Sequence, residues 1–217
     1  LGLVGSESVD FFLKKNFKVI GIDNDKRRFF FGKEGSVNSK KKLIISNSNY
    51  KHYNIDILNF KKIESIFKRF SSKIKLIIHA AAQPSHDWAY NNPILDFDIN
   101  ARATLHLLQC FKKYASKSTF IFTSTNKVYG DLINNFKLDE MKTRFEINKK
   151  NLFFKKGISE KFSIDKSVHS FFGSSKTSAD LYVQEFGKNF NLNTGIFRCG
   201  CITGENHAGT EAHGFLN

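Results

Sequence analysis

Short apolar runs that alternate with helical stripes are the feature of this sequence that most constrains its fold. Four runs are nearly continuous in apolar and β-branched residues, which is typical of strands buried on both faces of a parallel sheet. They cover residues 17–23, 76–80, 119–123 and 195–198, and a weaker fifth run covers residues 52–57. These runs predict five strands of one parallel sheet.

Apolar residues spaced three and four apart fill the gaps between these runs and predict amphipathic helices. The four stripes are Val9, Phe12 and Leu13; Phe60, Ile63, Phe67 and Phe70; Leu107, Leu108 and Phe111; and Ala179, Tyr182, Val183, Phe186 and Phe190. Such alternation predicts a doubly wound α/β domain. Residues 26–50 and 131–168 break the alternation, and we expect long loops with short elements of their own there.

Composition narrows the class of partner. The 217 residues carry 34 Lys and Arg against 20 Asp and Glu, a formal net charge of +14. The cations are almost all lysines scattered in pairs, which favours a solvated basic surface over a nucleic-acid-binding face. No apolar run approaches the roughly 20 residues of a membrane helix. Three cysteines without framework spacing indicate a reducing compartment, so we expect a cytoplasmic protein with no nucleic-acid or membrane partner.

A glycine turn at the start of the chain points to a dinucleotide. Gly2 and Gly5 precede the first helical stripe, and Asp23 ends the following strand. Glycines at such a turn let the backbone approach a pyrophosphate at a helix N-terminus, and an acid about 20 residues further on accepts ribose hydroxyls. An acid there favours NAD over NADP, although Arg27 and Arg28 lie close to it in the sequence.

Of three further motifs, two follow predicted strands and one opens a helix, and we expect all three at the edge of the sheet where open α/β folds bind ligands. They are His79-Ala80-Ala81-Ala82-Gln83, Ser124-Thr125-Asn126-Lys127-Val128-Tyr129-Gly130, and Gly173-Ser174-Ser175-Lys176, which opens a helix. Together with the glycine turn, they place four candidate ligand-binding segments at one edge of the predicted sheet.

With these motifs the whole chain resembles the extended short-chain dehydrogenases/reductases, in the NAD-dependent epimerase/dehydratase family that acts on nucleotide sugars. Residues 81–88 and 124–130 are similar to a subgroup that acts on CDP-linked sugars. The resemblance implies a Rossmann fold, NAD as cofactor and a nucleotide-sugar substrate, with a CDP-sugar favoured. It implies epimerisation by transient oxidation of a sugar hydroxyl, and it leaves room for a homo-oligomer in the full-length protein.

The resemblance also implies roles for individual positions. Thr125 would hydrogen-bond the reacting hydroxyl, while Lys176 would hold the nicotinamide ribose and lower the pKa of a neighbouring base. The other expected cofactor contacts are Gly2, Val4, Gly5, Asp23, Asn24, Asp56, Ile57, Ala80, Ala81, Ala82 and Asn100. The expected substrate contacts are Gln83, Ser85, Asn126, Lys127, Cys201 and His207.

At one position the chain departs from the family pattern. The family places a tyrosine base four residues before the lysine, and this chain has Phe172, which has no proton to give or take. Another group would then act as base: His169 first, because its ordinary pKa is near 7, with Tyr129 and Lys127 as alternatives. The other two interpretations are a protein that binds nucleotide and sugar without epimerising, and a variant chemistry, such as a dehydratase or reductase reaction.

No metal site is expected, because the ligand-type side chains Cys199, Cys201, His207 and His213 match no closed zinc pattern. We expect residues 1–200 to form the NAD-binding domain and residues 201–217 to begin a substrate-binding region. Since Leu1 already falls inside the glycine turn, we expect a central first strand and a C-terminal lobe to lie outside this sequence. This predicts a gap in the parallel sheet.

Overall fold

Strands and helices alternate along most of the chain in a computed structural model that describes residues 1–204 and His207. The helices are α1 (Leu3–Lys14), α2 (Arg27–Phe31), α3 (Asn38–Ile45), α4 (Phe60–Phe70), α5 (His86–Asn91), α6 (Pro93–Phe97), α7 (Ala103–Tyr114) and α8 (Ser170–Asn189). The strands are β1 (Val19–Ile22), β2 (Tyr50–Tyr53), β3 (Leu76–His79), β4 (Thr119–Thr125), β5 (Leu138–Glu140), β6 (Phe145–Ile147) and β7 (Asn193–Cys199).

The five parallel strands form two sheets. In the first sheet, β1 pairs with β2, starting from Val19 opposite Tyr50. In the second, β4 lies between β3 and β7, with Leu76 opposite Thr119 and Thr119 opposite Asn193. Among the described strands, no backbone ladder joins β1 to β3, so the interruption expected in the sheet is present.

The larger core lies between the three-stranded sheet and helices α4, α7 and α8. Alternate residues of β4 are buried, and Phe120 and Phe122 are completely inaccessible to solvent. Phe111 of α7 and Val183 of α8 are equally inaccessible and pack into the same cluster. Burial of each of these side chains stabilises the fold by roughly 1.5–3 kcal/mol, so the apolar stripes seen in the sequence form the core.

The strong strand predictions are confirmed, whereas the weak one is displaced. Strand β2 begins two residues before the predicted run and ends at Tyr53. Beyond it, the Asp56 carboxylate accepts a hydrogen bond from the Leu58 amide at 2.9 Å, which turns the chain, and Ile55 packs against the main core from this turn. The apolar residues of this run therefore serve packing beyond the strand end.

Both irregular stretches contain short elements, as expected. The first holds α2 and α3, and its loop is organised by Asp25, whose carboxylate accepts bonds from the Val37 amide at 2.7 Å and the Ser36 hydroxyl at 2.7 Å. The second holds the antiparallel β5–β6 hairpin. None of the helices in the described part of the chain is long and apolar enough to cross a membrane.

Candidate active site

The N-terminus of α1 offers space for an anion. Gly2 is the extended N-cap, and Val4 and Gly5 lie in the first turn of a 12-residue helix. A Cβ placed on Gly2 or Gly5 would meet no atom within 4 Å. A helix N-terminus presents free amide groups and a positive partial charge, so this end of the fold suits a pyrophosphate.

Acidic side chains meet at the ends of β1 and β2. Asp23 accepts hydrogen bonds from the Leu1 amino group and from the Asp25 amide. Asn24 donates to Asp56 at 3.1 Å, and the Lys26 ammonium lies 2.8 Å from the same carboxylate. The structure thus brings together three of the expected cofactor contacts from separate strand ends.

The charge state of Asp56 follows from these partners. Burial raises its pKa, but the hydrogen bonds from Lys26, Leu58 and Asn24 outweigh burial and hold the pKa below its ordinary value. Asp56 is therefore an anion that is hydrogen-bonded by Lys26, Leu58 and Asn24. The neighbouring Ile57 is half-buried in the turn that follows.

Small side chains follow β3, and a buried polar network fixes the loop that they begin. Ala81 is exposed, while Ala80 and Ala82 are half-buried. Gln83 is completely buried: its amide donates to Asn100 Oδ1 at 2.9 Å, and its side-chain nitrogen donates to Asp96 at 2.8 Å. The side chain of Gln83 is used within this network and holds the loop in place.

Asn100 joins this loop to α8. It lies in a π-helical turn, Asp98–Arg102, and such turns occur often at functional sites. Its side-chain nitrogen donates to Asp96 at 3.0 Å and to the Ser175 hydroxyl at 3.1 Å. Asp96, which sequence reasoning did not single out, is almost completely buried, and burial raises its pKa.

Lys176 reaches the end of β4 from α8. It is almost completely buried, and its ammonium donates to the Thr123 carbonyl at 2.7 Å and lies 4.2 Å from the centre of the Phe122 ring. Burial lowers its pKa to about 8, against the opposing effect of Asp180 and Asp96. The lysine is therefore a cation that loses its proton more readily than a surface lysine.

Thr125 and the residues after it form the adjoining wall. The half-buried Thr125 ends β4, and its hydroxyl accepts from the Lys127 amide at 3.2 Å as the cap of a 3₁₀ turn, Asn126–Tyr129. Asn126 and Lys127 are exposed on this turn. Ser85 caps α5 across the site by accepting from the Trp88 amide at 3.2 Å.

A second hydrogen-bond network, centred on Asp180, supports the end of β4 and the 3₁₀ turn after it. Asp180 is 1% exposed and accepts bonds from the Ser124 hydroxyl at 2.6 Å and from Arg198 Nη2 at 2.9 Å. Arg198 also donates to the Tyr129 hydroxyl at 3.0 Å. Asp180 lies one helical turn after Lys176. Sequence reasoning missed it, and its only sequence signal was an acid four residues after the lysine. This network ties α8, β4 and β7 to the turn that carries Tyr129.

Two histidines lie near Phe172, and the sequence singled out one of them. His169 precedes α8, and its Nε2 lies 3.0 Å from the Val128 carbonyl. The ring of His86, the first residue of α5, contacts the Phe172 ring edge-on at 4.8 Å between centroids. His86 lies inside a motif that the sequence analysis used, but its contact with Phe172 joins residues that are far apart in the chain.

The last two expected substrate contacts lie after β7, at the end of the described chain. Cys201 is exposed, and the amide of His207 donates to the Gly204 carbonyl at 2.8 Å. His213 lies outside the described residues. Within residues 1–204 and His207, no group of three or more metal-ligating side chains is arranged to hold a metal ion.

Parallel strands, a glycine-bounded helix N-terminus and polar groups at the carboxyl edge define a Rossmann-fold protein. A model of the NAD dependent epimerase/dehydratase family matches residues 1–217, and the chain belongs to this family. This confirms the family and the fold that the sequence motifs indicate.

Individual relatives refine this picture. The chain is 30% identical over 216 residues to the CDP-paratose 2-epimerase of Salmonella typhi, covering 99% of this chain and 59% of that protein. It is 33% identical over 130 residues to the UDP-glucuronate 4-epimerase of Thermodesulfobacterium geofontis (strain OPF15), covering 59% of this chain and 38% of that protein.

Solved structures show the same fold. The structure of UDP-glucose 4-epimerase from Thermus thermophilus, in complex with NAD, superposes with a TM-score of 0.69 at 20% identity, covering 97% of this chain and 56% of that chain. The chain spans less than two thirds of the length of each of these three proteins.

Proposed function

We propose that this protein is an NAD-dependent nucleotide-sugar epimerase whose substrate is a CDP-linked sugar, CDP-paratose or a close analogue. One observation carries the proposal: the buried ammonium of Lys176 donates to the Thr123 carbonyl near the end of β4, on the sheet edge that also holds the glycine turn and the acids. The similarity to CDP-paratose 2-epimerase over 99% of the chain supports the choice of substrate.

The residues on the sheet edge suit NAD. The open space at Gly2 and Gly5 has room for the pyrophosphate, and Asp23 with Asn24 would hold the adenosine ribose. The remaining expected contacts are Val4 on the helix terminus, Asp56 and Ile57 beside the adenine, Ala80, Ala81 and Ala82 along the strand end, and Asn100 behind the loop. When bound, NAD supplies a hydride acceptor and, in the reduced form, a hydride donor.

The chain's own residues then orient the substrate. The Thr125 hydroxyl would bond the reacting sugar hydroxyl, and the Lys176 ammonium would hold the nicotinamide ribose and stabilise charge at the neighbouring base. Asn126 and the cationic Lys127 are exposed on their turn and suit the sugar and its diphosphate. Ser85, Cys201 and His207 complete the proposed substrate contacts together with Gln83, which is buried and bonds the Ser85 carbonyl, and His169 is the base that the sequence favours.

A binding protein without turnover is the second candidate function. Phe172 favours it, because a phenyl ring four residues before Lys176 has no proton to exchange. Such a protein would hold NAD and a nucleotide sugar at the same sheet edge. A dehydratase or reductase reaction on another nucleotide sugar is the third. We also propose that the protein is cytoplasmic, since Cys110, Cys199 and Cys201 are all free thiols.

Incubation of the purified protein with NAD and CDP-paratose tests the proposal, with the C2 epimer followed by NMR. We expect the epimer to form, and we expect Lys176→Met to lower its rate by at least about 10²-fold, as for removal of a charged group at a reacting centre. Lys188→Ala, an exposed lysine of the same helix, is the matched control.

The two alternative functions predict different results in parallel incubations. Binding of NAD and the CDP-sugar with no product, in the wild type and in Phe172→Tyr alike, would favour the binding protein and end the epimerase proposal. With another nucleotide sugar in place of CDP-paratose, a keto-deoxy product would instead indicate the dehydratase reaction, and net consumption of NADH supplied in place of NAD would indicate the reductase reaction.

A further inference from the structure

We propose that His86 is the proton acceptor of this site and acts where the family uses the tyrosine that Phe172 replaces. The inference rests on the proposed function, because it concerns the same oxidation of a sugar hydroxyl. It assigns the base to α5 instead of to His169, the residue that the sequence favours.

The position of the ring carries the inference. His86 begins α5 directly after the β3 loop, and its ring contacts Phe172 at 4.8 Å. Phe172 lies one helical turn before Lys176, so the imidazole approaches the site from the loop opposite α8. The phenyl ring of Phe172 has no hydroxyl, and the imidazole in contact with it supplies a titratable nitrogen.

Ser170 holds the imidazole. Its hydroxyl lies 3.0 Å from His86 Nδ1 and accepts from the Gly173 amide at 3.2 Å. Ser170 adopts a left-handed backbone conformation with φ of 62°, which is uncommon for a residue other than glycine, asparagine or aspartate. The hydroxyl is thereby placed between α8 and His86. With Nδ1 directed at Ser170, Nε2 is the nitrogen left to take a substrate proton.

His169 is arranged differently. Its Nε2 lies 3.0 Å from the Val128 carbonyl, and because a carbonyl only accepts, this nitrogen must carry a proton and donate. Its Cβ faces Gly173, where an added Cβ would approach it to 3.2 Å. This bond ties His169 to the 3₁₀ turn and leaves its Nδ1 as the accepting nitrogen, so the two histidines differ in which ring contacts Phe172, and that ring is the one of His86.

The charges around His86 favour the neutral form that a base needs. Lys127 faces it from the 3₁₀ turn, Asp87 lies next to it in α5, and Asp96 faces it from α6. Burial and then Lys127 lower the pKa of His86, and the two acids oppose them without reversing the direction. These effects favour the neutral imidazole, which is the form that accepts a proton.

The step balances as an alcohol oxidation. The O–H bond of the sugar would break with its proton passing to His86 Nε2, the C–H bond would break with its hydride passing to bound NAD, the hydride acceptor, and a C=O bond would form. In the return step the ketone takes the hydride on its other face and the proton moves back from the imidazolium. The cofactor and His86 both end as they began, as an epimerisation requires.

Substitution of His86 with an imidazole rescue tests the inference. We expect His86→Ala to lower turnover by roughly 10²- to 10⁴-fold, the usual contribution of general acid–base catalysis, while NAD and CDP-paratose still bind by calorimetry. Added imidazole should restore part of the rate. Tyr90→Ala, which removes a 71% exposed side chain from the same helix, is the matched control and should leave turnover unchanged.

NMR titration of the histidine nitrogens, without cofactor or substrate, is the second readout. We expect His86 to titrate below the ordinary histidine pKa with its proton on Nδ1, and Lys127→Met to raise that pKa. Ser170→Ala should shift the proton towards Nε2 and lower turnover. His86→Gln repeats the test if the alanine variant does not fold.

The outcomes separate the two proposals. A wild type that binds both ligands and produces no epimer overturns the proposed function and this inference with it. An active wild type in which His86→Ala or His86→Gln keeps full turnover overturns the inference alone. A larger loss in His169→Ala than in His86→Ala, or rescue by imidazole only in the His169 variant, also overturns it and returns the role to His169.

Discussion

The two parallel sheets of this protein differ in how completely they are packed. In the three-stranded sheet, β4 has a neighbour on each side, and Phe120 and Phe122 are fully buried. In the two-stranded sheet, all four residues of β1 are only half-buried, and its small core consists of residues that retain 5–9% exposure. The apolar contacts that stabilise the fold are therefore concentrated on one side of the interruption.

The chemistry follows the packing. Lys176, Thr125 and His86, the groups proposed to act on the sugar, belong to the well-packed side, whereas Asp23 and Asp56, proposed to hold the adenosine, belong to the other. Proton and hydride transfer depend on distances held to fractions of an ångström, while recognition of a ribose tolerates more motion. The groups proposed to act on the sugar therefore belong to the elements around the larger core, and those proposed to hold the adenosine belong to the smaller one.

Removal of Asp180 is expected to have the largest effect on stability. It would leave Arg198 and Ser124 without their shared acceptor inside the well-packed side, so Asp180→Ala should lower the free energy of unfolding by about 3–5 kcal/mol. Urea denaturation followed by circular dichroism measures it. Asp98→Ala breaks a surface pair with Arg102 and should cost less than about 1 kcal/mol. Similar losses of unfolding free energy in the two variants would contradict the expectation that the buried network around Asp180 stabilises the fold more than a surface pair.

The same substitution on each side compares the packing directly. Leu108 of α7 is fully buried, and Leu108→Ala should lower the free energy of unfolding by about 2–5 kcal/mol. Leu13 of α1 is 9% exposed in the smaller core, and Leu13→Ala should cost less, because its site collapses more easily. Equal losses of unfolding free energy in the two variants, measured by denaturation, would show that the two cores are packed equally well.

The pH dependence of stability should come more from His79 than from other histidines. His79 is buried in β3, its Nε2 donates to Thr104, and burial, aided by Lys176, lowers its pKa to about 3. The unfolded chain binds this proton near pH 6.5, so the folded state loses stability as pH falls from 6.5 towards 3. Between pH 8 and pH 5 the loss should be about 2 kcal/mol.

Denaturation of His79→Gln across this range tests the assignment, because the variant should lose most of the slope. His52→Gln is the comparison from β2: burial lowers the pKa of His52 too, but this histidine is less enclosed, so its removal should change the slope less. A larger change of slope in His52→Gln than in His79→Gln would contradict the assignment of the pH dependence to His79.

The sequence predicted those parts of the structure whose cause is local. Strand β4 is apolar at successive positions, with one face buried and the other half-buried, and Lys176 belongs to a recognisable motif. The family, the fold and the interruption of the sheet followed from such patterns. Strand β2 was displaced in the prediction because its residues are mostly polar, while the apolar residues that suggested a strand pack from the turn after it.

The rest depends on contacts between distant parts of the chain. His86 touches Phe172 and Ser170, which lie more than 80 residues away, and no spacing in the sequence indicates that contact. Asp96 and Asp180 likewise owe their burial to elements that meet only in the folded protein. Sequence reasoning found the segments of the site, and the folded chain supplied the pairings within them.

Trp88 lies at the contact between the two sides of the interrupted sheet, so its fluorescence can report on that contact. Its indole lies 4.8 Å from the Phe30 ring and 6.0 Å from the Phe29 ring, so α5 after β3 touches α2 after β1 across the break in the sheet. The sequence contains one tryptophan. Tryptophan fluorescence therefore reports on the contact between α5 and α2, and we expect a ligand that changes the separation of these helices to change that fluorescence without an added label.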